Sequence, residues 1–224
     1  MIKLLKKNNR LNETLFLGFL TIACFGFSVF RTLFSDDAEL LPRLNWNLFL
    51  AFMPWLLSSF LILNPNYQKN KIIVVTLLFF WLLFFPNAPY ILTDLIHLEG
   101  KKNVELWFDL ILILSFAWTG LLFGLLSLMD IEKILRKTLS KNWVNFIVSF
   151  LLFIGSFGIY LGRFLRWNSW DIIREPFGLL LDIGYIILNP IQLSKPWGLT
   201  IFMGIFLNMV YWSLKLIQKR KNPQ

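Results

Sequence analysis

LWFDLILILSFAWTGLLFGLLSLM, residues 106–129, carries a single charge, Asp109. About 20 mostly apolar residues are enough to cross a bilayer's hydrocarbon core, and a helix that is apolar all round belongs in a large core or in lipid. Four further runs have that character, at 11–34, 46–63, 143–165 and 197–217. A sixth, at 72–85, is short. It reaches full length over 70–88 only by taking in Asn70, Lys71 and the step Pro86-Asn87-Ala88. A seventh patch, 177–188, is too short to span and contains Asp182, which suits an interfacial or re-entrant segment.

The composition agrees. The chain is 57% hydrophobic and 16% charged, against about 25% charged in a soluble domain. The expected fold is therefore all-α: one membrane domain over 1–224, a bundle of about six transmembrane helices, with short interfacial or re-entrant helices near 88–98 and 177–188 on the outer face. The lipid bilayer is its first partner. The stretch after Met1-Ile2-Lys3 reads as an uncleaved first helix, because the apolar run is too long for a signal peptide and no small-x-small cleavage site follows.

Charge orients the bundle. Six spans leave 14 Lys/Arg and three acids (Glu13, Asp130, Glu132) on one side, and 8 Lys/Arg, Arg31 among them, with 10 acids on the other. Lys/Arg excess marks the cytoplasmic side, so both termini are expected there. This also accounts for the net charge of +9 without nucleic acid as a partner. One cysteine, Cys24, and one histidine, His97, exclude an internal disulfide and multi-histidine metal motifs. No metal site is expected, and no residue pattern specifies a cofactor.

Two outer stretches hold the unusual polar residues. In the first, 86–98, Asn87 suits an N-cap and Pro89 a first helical turn. A helix starting there puts Tyr90, Thr93, Asp94, His97 and Lys101 on one face. Asp94 and His97 on adjacent turns suit acid–base work or a shared proton, with Asn87 and Tyr90 beside them as ligand-binding candidates. The competing reading is an interfacial helix with its wet side up. The second stretch, 162–171, ends the fifth span. Arg163, Arg166, Trp167, Trp170 and Arg174 follow one stripe if the helix continues, and Asn168 or Ser169 could instead cap a new one. Paired guanidinium groups suit an anion. Snorkelling and aromatic anchoring explain the same residues, as does pairing of the arginines with Asp94 or Asp109. Asp109, shallow in its span, completes the ligand-binding candidates, because an ionisable group at membrane depth usually faces protein or water. Asp182 is explained by a helix end fraying into water. Two small-xxx-small pairs, Gly120/Gly124 and Gly158/Gly162, suit close helix contact.

The strings PNAPYILTDLIHL (86–98) and GRFLRWNSWD (162–171) resemble the signatures of domain-of-unknown-function family 1361, a family of bacterial multi-pass membrane proteins. The resemblance implies a bacterial cell membrane and brings no established activity. Three functions remain open. The favoured one is an outer-face site that binds or processes an anionic lipid headgroup or envelope precursor. The alternatives are a non-catalytic assembly subunit with a membrane-protein partner and a transporter of small solutes or lipid.

Overall fold

The computed structural model describes residues 10–33, 40–98 and 105–221. Helices dominate them, and no strand occurs among them. Among the described residues six helical segments are long and apolar enough to cross a membrane: 11–33, 42–63, 71–96, 106–135, 141–164 and 194–219. The chain is an all-α multi-pass membrane protein. In hydrocarbon every backbone N–H and C=O needs a partner within the protein, and a helix supplies these locally. Two compact units meet in sequence at Ile134.

The first unit contains α1 (Leu11–Leu33), α2 (Leu40–Leu63), α3 (Lys71–Phe84), the short α4 (Asn87–Tyr90) and most of α5 (Leu106–Leu135). Asn70 starts α3 by accepting the backbone N–H of Ile72 and Ile73 at 3.0 and 3.4 Å. No new helix is capped at Asn87. Phe85 and Pro86 stay in helical geometry, and the path runs through α4 into a 3-10 helix, Ile91–His97. Pro86 and Pro89 each remove a backbone donor. The Ala88 N–H turns to the Phe85 carbonyl, and the Asn87 side chain donates to the Phe84 carbonyl at 3.0 Å. Asn87 thus repairs a proline-broken helix where the sequence suggested an N-cap.

Within this unit α5 is the helix the others lean on. Phe52 of α2 meets Phe123 edge to face, and Trp81 of α3 donates to Ser127 at 3.0 Å. Gly120 and Gly124 receive the proline-rich turn. A Cβ at Gly120 would stand 2.9 Å from the Ala88 carbonyl oxygen, and one at Gly124 would stand 2.6 Å from the Ala88 Cβ. The glycine pair expected from spacing is therefore a contact within the chain. By contrast, α1 exposes Leu15, Phe16, Phe19 and Ile22 as a lipid-facing surface.

The second unit pairs α6 (Lys141–Phe164) with α9 (Ser194–Lys221), joined through α7 (Asp171–Arg174) and α8 (Pro176–Leu188). Trp212 donates to the Ser149 hydroxyl at 3.2 Å, Asn208 to the Ser149 carbonyl at 3.4 Å, and Phe157 stacks near Trp197. Rising numbers on one helix meet falling numbers on the other, so the pair is antiparallel. At 13 residues, α8 is about 20 Å long.

The Gly124–Ala88 contact sets a prediction. Two backbone-anchored Cβ atoms cannot escape by rotamer change. Gly124→Ala should therefore lower stability in detergent by about 1–3 kcal/mol despite alanine's better helix propensity. Gly26→Ala meets nothing within 4 Å and should be neutral or stabilising by up to about 1 kcal/mol in the same melting experiment.

Candidate functional site

The first polar stretch is turned inward. Asp94 is 1% exposed and Thr93 4%, whereas Ile96 is 63% exposed. Asn47 of α2 donates to Asp94 Oδ2 at a long 3.4 Å, and Thr93 donates to the Tyr90 carbonyl at 2.6 Å. An interfacial helix with its wet side up would show the reverse pattern. The 3-10 repeat of three residues per turn brings positions 91, 94 and 97 into register along one edge. The side chain of His97, and Lys101 altogether, lie outside the described residues. Tyr90 and Asn87 are half-buried on the same path.

Asp109 has a partner that sequence reasoning did not supply. Arg31 of α1 reaches it with two parallel hydrogen bonds, Nε to Oδ1 at 3.0 Å and Nη2 to Oδ2 at 3.1 Å. Side-chain exposures are 2% and 9%. Charge counting sets Arg31 on the outer side without revealing its partner, and the sequence leaves Arg163 and Arg166 as possible partners of Asp109. A second buried pair joins the other ends of the same helices. Arg10 Nη1 lies 2.7 Å from Asp130 Oδ2, and its Nη2 donates to Glu13 at 2.7 Å. Trp55 and Ser58 of α2 complete this cluster by donating to Glu13 and Asp130, at 2.9 and 3.2 Å. Lys133 lies 3.3 Å from Asp130.

The two pairs share one register. Arg10 and Arg31 are 21 residues apart, and so are Asp109 and Asp130. At 1.5 Å per residue that is about 31 Å, the thickness of a bilayer's hydrocarbon core. Between the two pairs, nearer Arg31 than Arg10 along α1, Cys24 touches Thr119, sulfur to oxygen 3.3 Å. Equal spacing of opposite charges on two antiparallel spans was the signal that could have revealed this arrangement.

The second stretch lies in the second unit. Helix α6 stops at Phe164, so the stripe from Arg163 to Arg174 is broken. Arg166, an exposed residue, has φ 61, the left-handed region that usually takes glycine. The Trp167 N–H turns back to the Leu161 carbonyl at 3.1 Å. The Trp167 indole donates to Asp182 of α8 at 2.8 Å, so that carboxylate is held by protein and needs no frayed end to explain it. The carboxylate of Asp171 caps the Asn168 backbone N–H at 2.6 Å and its side chain at 3.1 Å. Trp170, half-buried, precedes α7, and Arg163, half-buried, sits in the last turn of α6. Among the described residues, no three His, Cys, Asp or Glu side chains gather as a metal would require.

Six membrane-length helices among the described residues, with two arginine–carboxylate pairs buried in the first unit, define a polytopic membrane protein. The family described as "Protein of unknown function (DUF1361)" matches residues 46–210, about three-quarters of the chain, and the chain belongs to it. No curated protein and no solved structure is similar to the chain.

The Arg31–Asp109 geometry makes a quantitative prediction. Removing one partner of a buried pair leaves the other charge uncompensated, at a cost of about 3–5 kcal/mol. Arg31→Met and Asp109→Leu should each destabilise the protein by that order. The double substitution should recover most of the loss in a double-mutant cycle read by thermal melting.

Proposed function

We propose that the protein binds or processes an anionic lipid headgroup or envelope precursor at the membrane face that carries Asp94. The observation behind this is the burial of Thr93 and Asp94. Burying a carboxylate at membrane depth is costly, and such groups mark binding or proton-handling sites by default. Asp94 and His97 supply acid–base groups one 3-10 turn apart, with Asn87, Tyr90 and Asp109 nearby in the chain. In the second unit, considered by itself, Arg163 and Arg166 supply guanidinium groups suited to an anion, and Trp167 and Trp170 supply aromatic surface suited to a membrane edge. The setting is the bacterial cell membrane, with both termini cytoplasmic and the site on the outer face.

Two features lower the alternatives. The Gly120/Gly124 pair, which suited an assembly subunit, is occupied by Ala88 within the chain. A solute path would need unspent polar groups along the spans. Ser115, Thr119 and Ser156 each donate to a carbonyl of their own helix, and the Ser58 hydroxyl lies 3.1 Å from the Trp55 carbonyl oxygen and 3.2 Å from Asp130 Oδ2.

Lipids that co-purify with the detergent-extracted protein, identified by mass spectrometry, test the reading. The wild type should be enriched in anionic phospholipid or polyprenyl phosphate relative to the membrane it came from. Asp94→Asn and the pair Arg163→Gln/Arg166→Gln should lose that enrichment with melting temperatures unchanged. Equal lipid profiles in wild type and variants would refute the assignment.

A further inference from the structure

A cleft of about 590 Å³ runs between α1 and α2, floored by Phe123 of α5. This is within the size range of small-molecule pockets, roughly 300–1,000 Å³. Its walls on α1 extend from Thr14 to Phe25 and on α2 from Asn45 to Trp55. Eleven residues of helix correspond to about 16 Å, half the hydrocarbon thickness and hence about one leaflet. The ion pairs that tie α1 to α5 lie beyond the cleft at both ends, at positions 10 and 31.

The chemistry of the walls selects the occupant. Thr14 and Thr21 donate to carbonyls of their own helix, Arg10 and Leu17, and Asn45 donates to Ser28. These hydroxyl and amide donors are already engaged, and the remaining surface is aliphatic and aromatic. A polar solute would lose its hydration there without replacement. Ile22, Phe25 and Phe49 stand at the mouth and are 73%, 54% and 48% exposed. They continue the lipid-facing surface of Phe16 and Phe19 without a polar break, so the cleft opens sideways into acyl chains.

We infer that this cleft holds one acyl chain of a bilayer lipid, inserted from the side between α1 and α2. The site takes a hydrocarbon tail whatever headgroup that tail carries, and it stands independently of the headgroup site at Asp94. A chain seated there fills space that side chains leave open, which close packing otherwise disfavours. Gly18 gives direct access to that space: it lines the cleft, and a Cβ on it meets nothing within 4 Å. Gly26 has the same freedom and does not line the cleft.

The test uses the full-length protein in neutral phosphatidylcholine vesicles whose acyl chains carry a photoactivatable diazirine, with adducts mapped by peptide mass spectrometry. Adducts should concentrate on the cleft walls, at Thr21, Ile22, Asn45 and Phe49. Gly18→Leu, which fills the cleft, should abolish them while leaving labelling of Phe16 and Phe19 in place. Gly26→Leu should leave the cleft adducts intact, and Thr21→Phe supplies a second plug should Gly18→Leu fail to fold. Adducts spread evenly over all lipid-facing residues, or cleft adducts insensitive to both plugs, would overturn the inference. The lipid is neutral, so loss of anionic selectivity at Asp94 would not alter this result, and failure here would not alter that one.

Discussion

An arginine in hydrocarbon has to meet a carboxylate, and this chain meets that demand twice on the same pair of helices. Arg31 grips Asp109 with a two-pronged contact, and Arg10 meets Asp130 at the opposite end. Each charge alone would be costly at membrane depth, and each pair leaves its register little freedom, since a slip of one turn would strand all four charges. Their separation along the helix matches the hydrocarbon thickness. With α1 upright, the pairs fall at its two edges, where desolvation costs less than at the centre.

That constraint explains the rest of the first unit. With α1 held at its ends against α5, it has no need for tight packing along α2. Its side towards α2 parts from that helix over the middle turns, and its outer face shows Leu15, Phe16 and Phe19 to lipid. On the far side of the unit, Gly120 and Gly124 let the Pro86–Pro89 turn come into backbone contact with α5. That close approach carries Ile91, Thr93 and Asp94 into the protein interior, and it makes a buried carboxylate out of a residue that would otherwise lie in the headgroup layer.

Much of this was legible in the sequence, because hydrophobic run length reports membrane crossing directly. All six spans followed from it, and the Gly120/Gly124 contact followed from small-residue spacing. Periodicity fixes which residues share a face, and it does not say which face turns inward. Helical spacing puts Tyr90 with Thr93 and Asp94, whereas the 3-10 path sets Ile91 in line with Asp94, and the burial of Thr93 and Asp94 was invisible. Pro86 and Pro89 read as the start of a helix because prolines normally interrupt one; the Asn87 amide that patches the Phe84 carbonyl has no sequence signature. The end of α6 was hidden for a similar reason, since Arg166 takes a left-handed conformation that a sequence advertises only with glycine or asparagine. The pairing of Arg31 was hidden because a charge near a helix end looks like a loop charge until its carboxylate is seen.

Register between α1 and α5 is the claim on which the account stands, and the native Cys24, which lies between the two pairs, provides a direct probe of it. With cysteine introduced singly at Thr119, or at Ser115 or Phe123 one turn away in either direction, membranes are oxidised and the crosslinked fragment is scored after cleavage between the helices. The account predicts rapid crosslinking of Cys24 to position 119 and little to 115 or 123. Preferred crosslinking at 115 or 123, or equal crosslinking at all three, would contradict it, because no such register lets Arg10 and Arg31 reach Asp130 and Asp109 together.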